Sequence, residues 1–453
     1  MSMQNSQPLS SPTASQGNSQ PPIISPQPVR SRKRHRMRVP LIAFLLLLTG
    51  LVGVASLFAP RFFENTSGSG NVSGLTLTPG GAFVRPPLTP AQQAALMHLV
   101  GYMKYKQLAS LYVSHMTLDE ELGQLIMVEY ADTYYSPDLD MMVNKLHAGG
   151  VIMYEFQMKT FNQTKGDIAL MQQHASIPLL ISTDEEGGPY VHRLTSIYGY
   201  RMSATEIANS GDPNVATQQG AKAAHDLLAL GINENLAPDV DVNLVNGYDM
   251  VTRTFGNTPQ AVVEYASAYM KGLQGNGVVG CIKHYPGLGD ASIDAHAGLP
   301  VVNQTRDQIY SIDLAPFKAF IQSPDQLVNP GMIMPTDVLM PAIDPTYPAE
   351  LSHIFMTDIL RKQFGYDGVV LTDALYMKGV KWDMNQAAVL ALNAGNDMLL
   401  GPTGADQMLS MINALKAALQ NGTLSTARID EAATRIIALK MEYHLMPAVP
   451  PQE

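Results

Sequence analysis

From Met116 onward the chain alternates short apolar runs with longer amphipathic ones, and this alternation restricts its fold more than any other feature. Apolar runs of strand length lie at residues 125–128, 150–153, 178–182, 234–238, 278–283, 331–334, 368–371 and 397–400. Helical stretches fall between them, among them 215–230, 260–274 and 358–364. Eight strands separated by helices predict an α/β fold, a TIM-type (β/α)8 barrel. An open doubly wound sheet is the alternative, but no Gly-rich phosphate loop follows any of these runs. Thr117-Leu118-Asp119-Glu120 has the form of a helix N-cap with acids in the first turn, and residues 405–422 and 426–442 read as two closing helices. A barrel of about 250 residues or more with extensions suits a chain of 453 residues that is 46% hydrophobic.

The extension lies at the N-terminus. Residues 1–38 are rich in Ser, Gln and Pro and carry Arg30, Arg32, Lys33, Arg34, Arg36 and Arg38 without an acid. That is a charge of +6 in a chain of net −10, so the remainder carries −16 (−10 minus 6). A basic tail before an acidic body is expected to be disordered and to report topology rather than nucleic-acid binding, which would place positive charge on the folded part. Residues 39–60 follow without a charge, and about 20 apolar residues span a bilayer core of about 30 Å. They are expected to form a transmembrane anchor, with the tail cytoplasmic and the rest extracytoplasmic at the cell membrane. Secretion after signal cleavage near Val54-Ala55-Ser56 is the alternative. Residues 61–90 read as a flexible linker and 91–453 as the catalytic barrel. The lone Cys281 excludes an intramolecular disulfide and reads as a small buried hydrophobe.

Polar residues recur where the predicted strands end, which is where α/β barrels keep their chemistry. Asp184-Glu185-Glu186-Gly187-Gly188 follows the third strand, with Arg193 beyond it. Asp239 and Asp241 follow the fourth, then Arg253-Thr254-Phe255-Gly256. The fifth leads into residues 283–296, a loop-like segment with Lys283, His284, Asp290, Asp294 and His296, and the seventh ends Leu371-Thr372-Asp373. One strand-end Asp is usually a cap, whereas several at successive strand ends point to an enzyme. A metal at His284, Asp294 and His296 lacks a standard zinc spacing, so no metal and no cofactor is expected.

Over residues 116–443 these pieces resemble glycoside hydrolase family 3, of the single-domain β-N-acetylhexosaminidase type. Its landmarks here are Gly123-Gln124-Leu125, Asp184-Glu185-Glu186-Gly187-Gly188, Arg253-Thr254-Phe255-Gly256, Lys283-His284-Tyr285-Pro286-Gly287, Pro348-Ala349-Glu350-Leu351-Ser352, Leu371-Thr372-Asp373-Ala374 and Ala394-Gly395-Asn396-Asp397. The resemblance implies a retaining exo-β-N-acetylglucosaminidase acting on peptidoglycan-derived or chitin-like glycans. It makes Asp373 the nucleophile that forms a covalent glycosyl intermediate. It makes His296 the proton donor and acceptor, oriented by Asp294. Larger members take that donor from an additional C-terminal domain; this chain ends at Glu453, so the donor is expected from the barrel itself or a partner chain. Asp184, Arg193, Arg253, Lys283 and His284 are expected to grip the sugar. The family usually places an Arg directly after the Gly-Gly pair, where this chain has Pro189-Tyr190. β-Glucosidase, β-xylosidase or phosphorylase chemistry on the same scaffold, or sugar binding without catalysis, are the competing expectations.

Overall fold

The computed structural model describes residues 105–245, 250–289, 291 and 298–447. The expected tail, anchor and linker, together with Asp290, Asp294 and His296, lie outside these residues. Among the described residues no helix is long and apolar enough to cross a membrane.

A closed parallel barrel forms the core, with its strands hydrogen-bonded in the order β1-β10-β9-β8-β7-β6-β3-β2. The strands are β1 (Ile126–Val128), β2 (Gly150–Ile152), β3 (Leu180–Thr183), β6 (Glu234–Asn235), β7 (Val279–Tyr285), β8 (Met332–Pro335), β9 (Val369–Ala374) and β10 (Met398–Leu400). A small antiparallel hairpin, β4 (Glu185–Gly187) and β5 (Val191–His192), leaves the end of β3. Each predicted strand is present, and the fold is the expected TIM-type barrel. Most of the strands are apolar because both faces are covered: side chains fill the barrel interior, and helices cover its outside; β6 (Glu234–Asn235) is polar throughout, and β7 and β9 turn polar toward their carboxyl ends.

Local chemistry starts and stops the surrounding helices. Before Leu118–Gln124, the Thr117 N–H donates to Glu120 Oε2 at 2.7 Å and the Glu120 N–H donates to Thr117 Oγ1 at 3.3 Å, a complete capping box. Helices Pro213–Leu230 and Pro259–Gln274 both open on Pro behind a capping Asp212 or Thr258. They pack tightly because each carries a glycine at the crossing. A Cβ on Gly220 would lie 2.1 Å from Tyr269 O, and one on Gly272 would lie 2.1 Å from Thr217 O.

One expectation changes here. β7 extends through Tyr285, two residues past the expected run 278–283, so His284 and Tyr285 belong to the strand rather than to a loop beyond it. Pairing with both neighbours sustains the extension: Lys283 is bridged to Asp239 and aligned with Met334. Cys281 sits in the same strand and is fully buried, as read from its apolar surroundings.

Candidate active site

Alternation along a strand sends successive side chains to opposite faces, and the segment after β3 uses this to divide its three acids. Glu185 turns away from the mouth of the barrel and pins the hairpin, accepting from Arg201 Nε at 2.7 Å and from the Leu194 N–H at 3.1 Å, with His192 Nδ1 at 2.6 Å. Asp184 and Glu186 both meet Lys283, whose Nζ lies 2.6 Å from Asp184 Oδ1 and 2.7 Å from Glu186 Oε1. Arg253 grips Glu186 through two nitrogens, at 2.8 and 2.9 Å. Its Nη2 is 3.3 Å from His284 Nε2 and 3.8 Å from Asp239 Oδ2. Arg193 lies further out, 4.0 Å from Asp184 Oδ2 and 3.2 Å from Glu155 Oε2, with its guanidinium 5.7 Å from the centre of the Tyr154 ring.

These groups are charged in spite of their burial. Burial opposes the charge of Asp184 and Glu186, yet Lys283 with Arg193 on one, and Arg253 with Lys283 on the other, hold both below the usual carboxylate range. Burial also opposes the Lys283 charge, and the two carboxylates outweigh it and raise its pKa. At His284 burial lowers the pKa, but Asp241, whose Oδ2 sits 2.8 Å from Nδ1, outweighs it and raises the ring above its ordinary value. Asp239 goes the other way, raised well above its ordinary value by burial and by neighbouring Asp241. Asp239, Asp241 and His284 present ligand-type atoms within 4.8 Å of one another. Arg253 already supplies positive charge at that cluster, so its chemistry is that of an ion-pair network.

Asp373 stands across the mouth as the penultimate residue of β9 and is partly exposed. Thr336 Oγ1 donates to its Oδ2 at 2.9 Å and the Ala374 N–H donates to its Oδ1 at 2.8 Å, which fixes the direction of the carboxylate. Thr336 is placed by its own N–H, which donates to Tyr285 O at 3.0 Å. Beneath lies fully buried Glu350, pushed well above the carboxylate range by burial and then by Asp337 and Asp373.

The expected site residues thus divide. Asp184, Lys283, His284 and Asp373 stand at or just past the carboxyl ends of barrel strands, Arg193 follows the β4–β5 hairpin, and Arg253 ends the short helix Met250–Arg253; all but Asp373 join one network through Glu186. Asp294 and His296 lie outside the described residues, and the chain just before them is held against the end of the segment 239–242. Asp241 Oδ1 accepts from the Leu288 N–H at 2.9 Å, and the Leu244 N–H donates to Gly289 O at 2.9 Å. Gly289 lies so close to the neighbouring strand end that a Cβ there would sit 1.6 Å from Val242 O. Pro189 and Tyr190, which replace the expected Arg, fall at the tip of the β4–β5 hairpin. Glu186 and Asp241 carry as much of the network as the residues singled out from sequence. The alternation in Asp184-Glu185-Glu186 was the available signal for the first; the second needed the fold. A groove of about 690 Å³ on the outside of the barrel, lined by Val263, Lys271 and Tyr310 among others, touches none of these groups.

A closed parallel barrel with acids and cations collected at the carboxyl ends of its strands is the architecture of a barrel enzyme, and hydrogen-bonding charges of both signs suit a polyhydroxylated ligand. The chain belongs to glycosyl hydrolase family 3: the model of that family's N-terminal domain matches residues 117–439. It is 30% identical to a beta-hexosaminidase A of Pseudoalteromonas piscicida over 72% of this chain and 61% of that protein. A family 3 beta-N-acetylglucosaminidase structure from Paenibacillus superposes with a TM-score of 0.67 at 32% identity, covering 75% of this chain and 65% of the other. A family 3 glycosyl hydrolase structure from Mycobacterium smegmatis gives 0.65 at 29% identity, covering 72% and 98%. The chain therefore spans less than two thirds of the first two proteins and nearly all of the third.

Proposed function

We propose that the protein is a retaining exo-β-N-acetylglucosaminidase that removes terminal β-linked N-acetylhexosamine from peptidoglycan-derived or chitin-like glycans. The observation that carries this reading is the Asp373 carboxylate, held by Thr336 and the Ala374 N–H at the strand end facing the Asp184–Lys283–Arg253 network. In the proposed reaction the network binds the hydroxyls of the terminal sugar, and an Asp373 oxygen attacks the anomeric carbon as the glycosidic C–O bond breaks. His296, oriented by Asp294, gives its proton to the departing oxygen. It then takes one from water, which attacks the anomeric carbon and releases Asp373. The hexosaminidase and N-acetylglucosaminidase names of the relatives support the choice of sugar. Residues 39–60 as an anchor would hold this barrel outside the cell membrane, where such glycans lie.

A panel of nitrophenyl β-glycosides tests the reading. N-acetylglucosaminide is expected to be cleaved best, with retention of configuration, and preference for glucoside or xyloside would overturn the assignment. A 5-fluoro N-acetylglucosaminyl fluoride should add one glycosyl mass to wild type and none to Asp373→Ala; a labelled Asp373→Ala sinks the nucleophile. His296→Ala should slow poor leaving groups about 10²–10⁴-fold and activated ones far less. Faster turnover in phosphate, with a sugar phosphate as product, would show phosphorolysis instead. Full-length protein should stay with membranes through a carbonate wash, and its release would remove the anchor.

A further inference from the structure

Glu129 is a carboxyl in the barrel mouth that the proposed reaction does not use. It follows β1 directly, and its N–H donates to Pro402 O at 2.8 Å, beyond the end of neighbouring β10. Its side chain is held by tyrosines. Tyr376 OH lies 2.9 Å from Oε1 and 3.2 Å from Oε2, and Tyr154 also hydrogen-bonds to it. Tyr376 is three residues beyond Asp373 and is half exposed, while the Arg193 guanidinium lies over the Tyr154 ring. The Asp184 and Asp373 charges both act on Glu129. The carboxyl therefore stands in the arc of the rim between the sugar-gripping acid and the proposed nucleophile.

The physical setting is costly. Among the described residues no Lys or Arg pairs with Glu129, although it is 7% exposed and faces two other acids. Burial, more than those acids, pushes its pKa up to about 7 even against the two tyrosine hydrogen bonds. A purely structural tie between β1 and the Tyr376 loop would need only a neutral acceptor. A carboxyl offers about four acceptor directions, and the tyrosine hydroxyls occupy three at most, which leaves acceptor capacity for a further donor.

We propose that Glu129, clasped by Tyr154 and Tyr376, contacts the bound sugar and reads a hydroxyl on the edge lying between Asp184 and Asp373, and so is a specificity-determining residue. This rests on the reading that the mouth binds a terminal hexosamine. A non-reducing terminal N-acetylhexosamine has free hydroxyls at C3, C4 and C6, and Glu129 would read one of the last two.

The test is a cycle between enzyme and substrate, using the full chain and the best-cleaved aryl glycoside of the panel with its 4-deoxy and 6-deoxy analogues. In wild type one of the two deoxy changes should lower kcat/KM about ten- to hundredfold, the scale of a hydrogen bond to a charged or strongly polar group. In Glu129→Ala the same change should cost less than about twofold. Glu129→Gln, which keeps the shape, should give an intermediate value and covers the case in which Glu129→Ala does not fold. If both deoxy penalties persist in full in the variants, Glu129 does not touch the sugar and the inference is overturned. If wild type cleaves no member of the panel, the proposed function falls and this inference falls with it; the two failures are thus distinct.

Discussion

Lys283 is the residue on which the site turns. Its ammonium is almost fully buried between Asp184 and Glu186, and both contacts are shorter than 2.8 Å. Removing one partner of a buried ion pair leaves the others desolvated and uncompensated, at a cost of about 3–5 kcal/mol. Lys283→Met should therefore lower stability by about that amount and raise KM, as read by urea denaturation and by steady-state kinetics. A change in stability below about 1 kcal/mol would mean that the pair is relaxed in solution. The identity of Lys283 as a site residue was legible in the sequence, because Lys283-His284 closes an apolar run with polar groups. Its partners were less so: Asp184 lies 99 positions away, and the alternation in Asp184-Glu185-Glu186 puts Glu186 on the face of Asp184 without naming the cation that both meet.

At the scale of elements, the motif pieces separate into those that hold substrate-facing groups and those that hold the barrel. Asp397, just before β10, belongs to the second kind. It is fully buried and accepts from Arg361 Nη2 at 2.5 Å, Arg428 Nη2 at 2.7 Å, Arg435 Nη1 at 3.0 Å and the Val370 N–H at 3.0 Å. One carboxylate thus joins two strands to the helices Ile354–Gln363 and Thr426–Glu442. Asp397→Ala would leave three guanidinium groups facing one another, and is expected to cost at least about 3–5 kcal/mol or to abolish folding. A soluble variant with an unchanged unfolding midpoint would refute this role. In sequence Asp397 already opens the 397–400 run, whereas the acids of the candidate site follow or close theirs. What separates them is the end of the strand on which they fall: Asp397 precedes β10, whereas Asp373 closes β9.

On the scale of the whole molecule, two buried ionisable side chains at the opposite end of the barrel from the mouth, Glu234 and Lys440, influence each other electrostatically. Glu234 begins β6 and is fully buried, and burial, opposed by Lys440, raises its pKa to about 8. Lys440 is equally buried, with Nζ 2.7 Å from Gln124 Oε1, and burial lowers its pKa to about 7 despite Glu234. The direction for Glu234 follows from linkage. Between its ordinary value near 4.5 and about 8, the folded chain keeps a proton that the unfolded chain has lost. Stability from this group is therefore full below about 4.5 and is lost as pH rises through 8. Glu234→Gln should show less of this decline, so its stability relative to wild type should grow from pH 4.5 to 8 in denaturant titrations. A difference independent of pH would place the titration elsewhere. Lys440 acts with the opposite slope at higher pH, because its folded form gives up its proton near 7, before the unfolded chain does.

The sequence by itself determined the alternation of strands and helices, the order of the barrel and the positions of its strand-end polar groups. Those signals are local: period, length and turn chemistry within a few residues decide whether a segment can be a buried strand or a capped helix. The extension of β7 through Tyr285 was missed because polar Lys283 and His284 break the apolar run, and pairing with β8 and the Asp239 bridge sustains the strand there. Only the tertiary structure decided which acid meets which cation, why Glu185 turns away while Glu186 turns in, and that Glu129 belongs to the mouth. Closing the barrel brings the ends of distant strands together and removes water from between them. Pairing and desolvation set the charge of each group there, and neither can be read from the neighbours of a residue along the chain.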